Sequence, residues 1–206
     1  MAEVQAGEYP AGQGHGQRRG RFWNVPNTFT MSRLILSALV FALIEFQWYR
    51  SALVAFTIAA LTDAMDGYLA RALGQASALG RQLDPLVDKV IVAGALIYLL
   101  PIPNSGVAAW VVTLIVVREL VVQALRSLVE GRGIAFGAKM AGKLKTVFQC
   151  VSVCAVLVCL GWELPAYFAW IRDALIWISV ALTVYSGLVY VSAAWPLLQA
   201  ESLSDT

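Results

Sequence analysis

The sequence predicts an all-α, polytopic membrane protein: six transmembrane helices around a polar cavity open to the cytoplasmic side. Three observations carry that expectation. Of the 206 residues, 59% are apolar and only 14% charged, and the mean hydropathy of +0.70 lies outside the range of water-soluble domains. Apolar runs of helical length alternate with breaks rich in Gly, Pro and Asn. The charged residues, finally, gather at alternate ends of those runs. With six helices, parity puts the clusters at Arg33, Asp63 to Arg71, Asp84 to Lys89, Arg118 to Arg126 and Lys143 to Lys145 on one side. Only Arg50 and Arg172 of the fifteen basic residues fall opposite. The positive-inside bias makes the crowded side cytoplasmic, with both termini there, in the inner (cytoplasmic) membrane of a cell.

Residues 1–20 are polar and rich in Gly and Gln, which predicts a disordered tail. No small-residue cleavage site follows an apolar run there, so helix 1 is expected to serve as an uncleaved anchor. Arg18, Arg19 and Arg21 precede Phe22-Trp23, a pairing suited to a membrane surface. Helix 1 follows, to about Gln47, with Asn27, Thr30 and Arg33 as a polar stripe that caps its start and snorkels. Helix 2 is predicted from Arg50 to Ala72. Helix 3 is predicted from Asp84 to Leu100, with Asp84 as N-cap and Pro85 in the first helical position. Pro101 to Gly106 reads as a turn, and helix 4 as Val107 to Val129. A glycine-rich basic loop begins at Glu130; Lys143 and Lys145 open helix 5, which runs to about Leu160. Cys150, Cys154 and Cys159 share that helix, far from the one histidine, His15, and read as small apolar residues. Helix 6 lies within Ala166 to Trp195. The organisation is a tail (1–20), one membrane domain (21–197) and a short C-terminal tail (198–206). The net charge of +2 makes no case for nucleic acid as a partner.

A helix needs about 20 apolar residues to cross the ~30 Å hydrocarbon layer. Twelve uncharged residues separate Arg50 from Asp63, eleven separate Lys89 from Pro101, and eleven separate Gly106 from Arg118. These helices can span only if their charged ends reach below the headgroups, and charges at that depth must face one another or water. A polar cavity flanked by lipid follows, with acids from helices 2 and 3 and bases from helices 4 and 5.

The most informative stretch runs from Asp63 to Asp88, with the spacing D-x2-D-G-x2-A-R-x8-G-x3-D-x3-D. At ~100° per residue, Asp63, Asp66, Gly67, Ala70 and Arg71 share one helix face. Asp84 and Asp88, four apart, share another. Four carboxylates packed together cannot all ionise without counter-charge. A shared proton relieves this weakly; one or two divalent cations relieve it well, and all-oxygen ligands suit Mg²⁺ or Mn²⁺. Gly67 leaves room for a substrate beside the backbone, and Arg71, one turn on, can reach a phosphate. Arg118, Arg126, Lys143 and Lys145 can hold a second anion. Together these suggest transfer of a phospho-group between a lipid and a water-soluble acceptor. Buried ion pairs that fix helix packing, or an ion pathway, are the bland alternatives.

The motif resembles, at every fixed position, the signature of the CDP-alcohol phosphatidyltransferase family, and the six-helix layout agrees over about residues 24–195. The resemblance implies a six-helix membrane fold, often homodimeric, that displaces CMP from a CDP-linked lipid with an alcohol acceptor. It implies that Asp63, Asp66, Asp84 and Asp88 hold Mg²⁺ or Mn²⁺ and that Asp88 is also the catalytic general base. It implies that Gly67, Arg71, Ser77 and the Pro26-Asn27-Thr28-Phe29 stretch contact the CDP moiety. Asn24 to Arg33, Arg118-Glu119-Leu-Val-Val and Gly142-Lys143-Leu-Lys145-Thr146-x2-Gln149 look most like the bacterial members that use CDP-diacylglycerol and sn-glycerol 3-phosphate. A dianionic acceptor agrees with four cationic side chains, Arg118, Arg126, Lys143 and Lys145. Inositol phosphate is the rival acceptor. An intramembrane prenyltransferase and a cation transporter are rivals of other classes. The first normally carries its aspartate clusters on separate helix pairs, and the second has no need of an anion-binding set.

Overall fold

The apolar runs fold as helices. The computed structural model describes residues 25–73, 78–130 and 140–202, and within them the side chains of 31–62, 89–129, 142 and 144–195. Among the described residues there are six helices and no strand: α1 (Val25–Glu45), α2 (Tyr49–Leu73), α3 (Ala78–Leu99), α4 (Ala109–Glu130), α5 (Met140–Gly161) and α6 (Tyr167–Ser202). The tail at 1–20 lies outside them.

Two boundaries differ from expectation. The third helix begins at Ala78, so Asp84-Pro85 is no helix start but lies within α3. The sixth runs past Pro196 to Ser202, so the segment expected as a tail from residue 198 begins as helix. Proline lacks the amide that a helix interior uses. The residues around it, Ala78-Leu-Gly-Arg-Gln-Leu before Pro85 and Leu197-Leu-Gln-Ala-Glu after Pro196, are mostly strong helix formers that carry the helix through.

The helices close into a ring. α1 packs on α2 and α3, α2 on α5, α5 on α6, α6 on α4, and α4 back on α3, with α3 also reaching α5 across the middle. Cross-helix contacts fix the directions. Gln149 meets Thr183, Ser152 meets Leu175 and Cys159 meets Phe168, so α5 and α6 run antiparallel. Arg50 meets Gly161 and Thr57 meets Cys154, so α2 and α5 do too.

That alternation divides the bundle into two ends. Val40 and Ile44 of α1, Phe56 of α2, Leu96 and Leu99 of α3, Val111 and Ile115 of α4, Val153 and Leu157 of α5 and Ile176 and Val180 of α6 form one buried apolar cluster. It occupies the half built from the C-terminal parts of odd helices and the N-terminal parts of even ones. The buried ionic groups Arg33, Glu119 and Lys145 belong to the other half. The two basic residues expected opposite the crowd hold the connections at the apolar end. Arg50 Nε donates to the Gly161 carbonyl at 2.8 Å and its guanidinium lies 5.0 Å over the Trp162 ring. Arg172 donates to the Asn104 carbonyl and pairs with Asp173 at 2.8 Å, tying α6 to the α3–α4 turn.

The outside of the bundle is apolar. Trp170 is 78% and Ile35 71% exposed, with Leu188, Trp177 and Leu61 similarly bare, a surface suited to lipid and not to water. Among the described residues two stretches are long and apolar enough to cross a membrane, Leu144–Gly161 and Tyr167–Trp195; Tyr49–Thr62 and Lys89–Leu99 are shorter apolar stretches. The protein is a membrane protein.

Gly106 sets the α3–α4 turn. Its φ is +74°, and a Cβ there would stand 2.6 Å from Arg172 Nε and 2.8 Å from Asp173 Oδ1. Gly106→Ala therefore adds left-handed backbone strain of about 1–2 kcal/mol and pushes Arg172 off Asn104. Thermal unfolding in mild detergent should show a lowered Tm; an unchanged Tm contradicts this reading of the turn.

Candidate functional site

The acidic motif is borne on two consecutive helices, both packed on α1. Asp63, Asp66, Gly67 and Arg71 are in the last turns of α2, and Asp84 and Asp88 in the first half of α3. The side chains of this whole segment, 63–88, lie outside the described residues, as does Ser77 altogether. Pro26, Asn27, Thr28 and Phe29 are in the opening turns of α1, and Lys143 in the first turn of α5; their side chains too lie outside. Among the described residues no group of three or more His, Cys, Asp or Glu is placed to hold a metal. The donor set on α2 and α3 is all carboxylate, which fits a hard cation such as Mg²⁺ or Mn²⁺.

Just before the motif, α1 and α2 enclose a cavity of about 400 Å³ lined by Ser32, Arg33, Leu36, Leu39, Ala59 and Thr62. Thr62 is the residue before Asp63. The walls are largely apolar, and the buried Arg33 supplies one cationic group. Leu39 is exposed on the outer, lipid-facing surface, so the cavity joins that surface to the start of the acidic segment.

The described polar groups converge on Glu119 of α4, which is 8% exposed. Its Oε1 accepts from Lys145 Nζ of α5 and from Arg118 Nη1 at 3.1 Å. Its Oε2 faces Lys89 Nζ of α3 at 3.8 Å. Two of these cations have a second anchor. Lys89 Nζ donates to Gln123 Oε1 at 2.8 Å, and Arg118 Nη2 donates to Ser186 Oγ of α6 at 2.8 Å. Ser186 Oγ donates to the Thr183 carbonyl at 3.1 Å, and Thr183 Oγ1 accepts from Gln149 Nε2 at 3.0 Å. One polar network thus crosses α3, α4, α5 and α6.

Tyr190, buried on α6, carries two of the guanidinium groups on its ring: Arg118 at 5.6 Å and Arg126 at 6.0 Å, a cation–π contact. Gly187 makes room for the Arg118 stem, since a Cβ there would stand 3.2 Å from Arg118 Cγ. Among the described residues, three cations, Lys89, Arg118 and Lys145, share the carboxylate of Glu119. Cations grouped in this way can attract an anion.

Of the four cations expected to hold a second anion, then, Arg118 and Lys145 meet on one carboxylate and Arg126 joins them through Tyr190. Glu119 and Lys89 were given no role by sequence reasoning. Glu119 had a usable signal: it is the only carboxylate between Asp88 and Glu130, and an ionisable residue inside an apolar helix marks a site by default. Tyr190 and Ser186 had none, because only packing of α6 on α4 brings them to the cluster.

A model of the family described as CDP-alcohol phosphatidyltransferase matches residues 23–185. A protein of Bacillus subtilis is 36% identical over 87% of this chain and 100% of its own length. Proteins of Cereibacter sphaeroides, at 32% over 87% and 99%, and of Shigella flexneri, at 34% over 84% and 95%, are comparably similar. Each of the three is named CDP-diacylglycerol–glycerol-3-phosphate 3-phosphatidyltransferase.

Ser186→Ala leaves Arg118 Nη2 without its hydroxyl acceptor in a buried setting. Hydrogen bonds to charged groups contribute about 1.5–3 kcal/mol, so the Tm in detergent should fall measurably; an unaltered Tm contradicts the network.

Proposed function

The chain belongs to the CDP-alcohol phosphatidyltransferase family and is a transferase; from that premise we propose that it moves the phosphatidyl group of CDP-diacylglycerol to sn-glycerol 3-phosphate, releasing CMP and yielding phosphatidylglycerol phosphate. The observation that carries this is the full acidic signature, borne by two consecutive helices inside the matched span. The names of the similar proteins and the cations gathered around Glu119 support the choice of a phosphorylated acceptor.

In this reading all six helices cross the inner membrane and the cavity opens to the cytoplasm. Asp63, Asp66, Asp84 and Asp88 hold one or two divalent cations. Bound there, Mg²⁺ or Mn²⁺ supplies charge neutralisation for the diphosphate. Pro26 to Phe29, Gly67, Arg71 and Ser77 hold the CDP moiety, while the apolar walls between α1 and α2 suit an acyl chain of the donor. Arg118, Arg126, Lys143 and Lys145 orient the acceptor through its phosphate. Asp88 takes the proton of the acceptor's primary hydroxyl as that oxygen bonds to the lipid-bearing phosphorus. The bond from that phosphorus to the CMP oxygen breaks, and CMP leaves with the electron pair. A second copy of the chain completes a homodimer.

Radiolabelled CDP-diacylglycerol with glycerol 3-phosphate, followed by CMP release, tests the reading. Release should require the acceptor and stop with a chelator. Asp88→Asn should lower turnover by about 10²–10⁴-fold, the usual contribution of a positioned base, while the variant still binds CDP-diacylglycerol. Release that persists with chelator, or wild-type turnover in the variant, contradicts it.

A further inference from the structure

Glu119 is a carboxylate at the centre of a group of cations. It is buried, and it takes up ion-pairing capacity of Lys145, Arg118 and Lys89 at once. Two readings of such a group oppose each other. A carboxylate that competes with the acceptor phosphate weakens its binding. A carboxylate that collects the cations strengthens it, because three like charges brought to one place repel and are costly to strip of water without a counter-ion.

The geometry favours collection. The three cations come from three helices, α3, α4 and α5, and Glu119 is the group they share. Its Oε1 takes the two most buried, Lys145 and Arg118, whose side chains are 4% and 10% exposed. Its Oε2 faces Lys89, which is 30% exposed and reaches Gln123 as well. Lys89 is therefore the most accessible of the three cations. A phosphate monoester carries a charge of about −1.5 to −2 at neutral pH, opposite in sign to the three cations.

We propose that Glu119 is a positioning residue for the acceptor's phosphate and that Lys89, the exposed member of its cluster, is a further phosphate-contacting residue. This rests on the transfer reaction proposed above. Lys89 is the residue after Asp88 in α3. Lys89 therefore belongs to the same helical turn as the proposed base.

The test uses the full-length chain in mild detergent, with Glu119→Gln, Glu119→Asp and Lys89→Ala beside the wild type. Glu119→Gln should raise the KM for glycerol 3-phosphate at least tenfold and leave the KM for CDP-diacylglycerol unchanged; Glu119→Asp, which restores the charge, should recover most of the loss. A KM for the acceptor that falls or stays put in Glu119→Gln overturns the positioning role. Should Glu119→Gln fail to fold, Lys89→Ala still decides: an acceptor KM raised about tenfold with the donor KM intact supports the proposal, and an unchanged acceptor KM overturns it. A second readout separates this proposal from the reaction it rests on. Millimolar inorganic phosphate should raise the Tm of the wild type and not that of Lys89→Ala, whether or not CMP is released. Phosphate protection without CMP release defeats the transfer reading alone, and equal protection of both proteins defeats the cluster.

Discussion

Charge inside an apolar bundle has to find opposite charge, and in this protein Glu119 is where it does. Three cations from α3, α4 and α5 share its two oxygens, and Ser186 and Tyr190 of α6 brace Arg118 from the far side. Four of the six helices are thereby joined at their polar end by one ionic and hydrogen-bonded unit. Burying these groups is costly, so the unit contributes less to net stability than to specificity: it fixes which faces of the four helices meet. That is the property a site needs, since a binding group on a mobile helix orients nothing.

The division of the bundle follows from the same constraint. At the other end the helices carry Val, Ile, Leu, Phe and Ala toward one another and form a continuous apolar cluster. This end supplies the burial that makes the polar end tolerable. The helices that hold the acidic motif have short apolar stretches, Tyr49–Thr62 in α2 and Lys89–Leu99 in α3. Their charged portions start where hydrocarbon depth would otherwise continue. In the proposed function, this level is where the reactive bond of a lipid substrate with a diphosphate headgroup lies.

Much of this was legible in the sequence because it rests on local rules. Apolar run length, turn residues and the parity of charges gave the helices, and the D-x2-D-G-x2-A-R spacing gave the motif its place at the end of α2 and in α3. Arg118, Arg126, Lys143 and Lys145 were grouped from the sequence, and Arg118 and Lys145 do meet on one carboxylate. What was not legible depended on packing between distant segments. Glu119 could be seen as a lone carboxylate, but not as the meeting point of Lys89 and Lys145, which are 56 residues apart in sequence. Tyr190 and Gly187 gained their meaning only from α6 lying along α4. The early start of α3 was hidden by Pro85, whose usual association with helix ends gave way to the helix formers before it.

In the proposed reaction the cations gathered around Glu119 select an acceptor bearing a phosphate. The most direct measurement compares sn-glycerol 3-phosphate with glycerol itself as acceptors for the wild-type protein, under the same donor and metal concentrations. The account expects kcat/KM for glycerol to be lower by a factor of at least about 10², the effect of leaving charge-paired groups unpaired. Equal use of the two alcohols would contradict it.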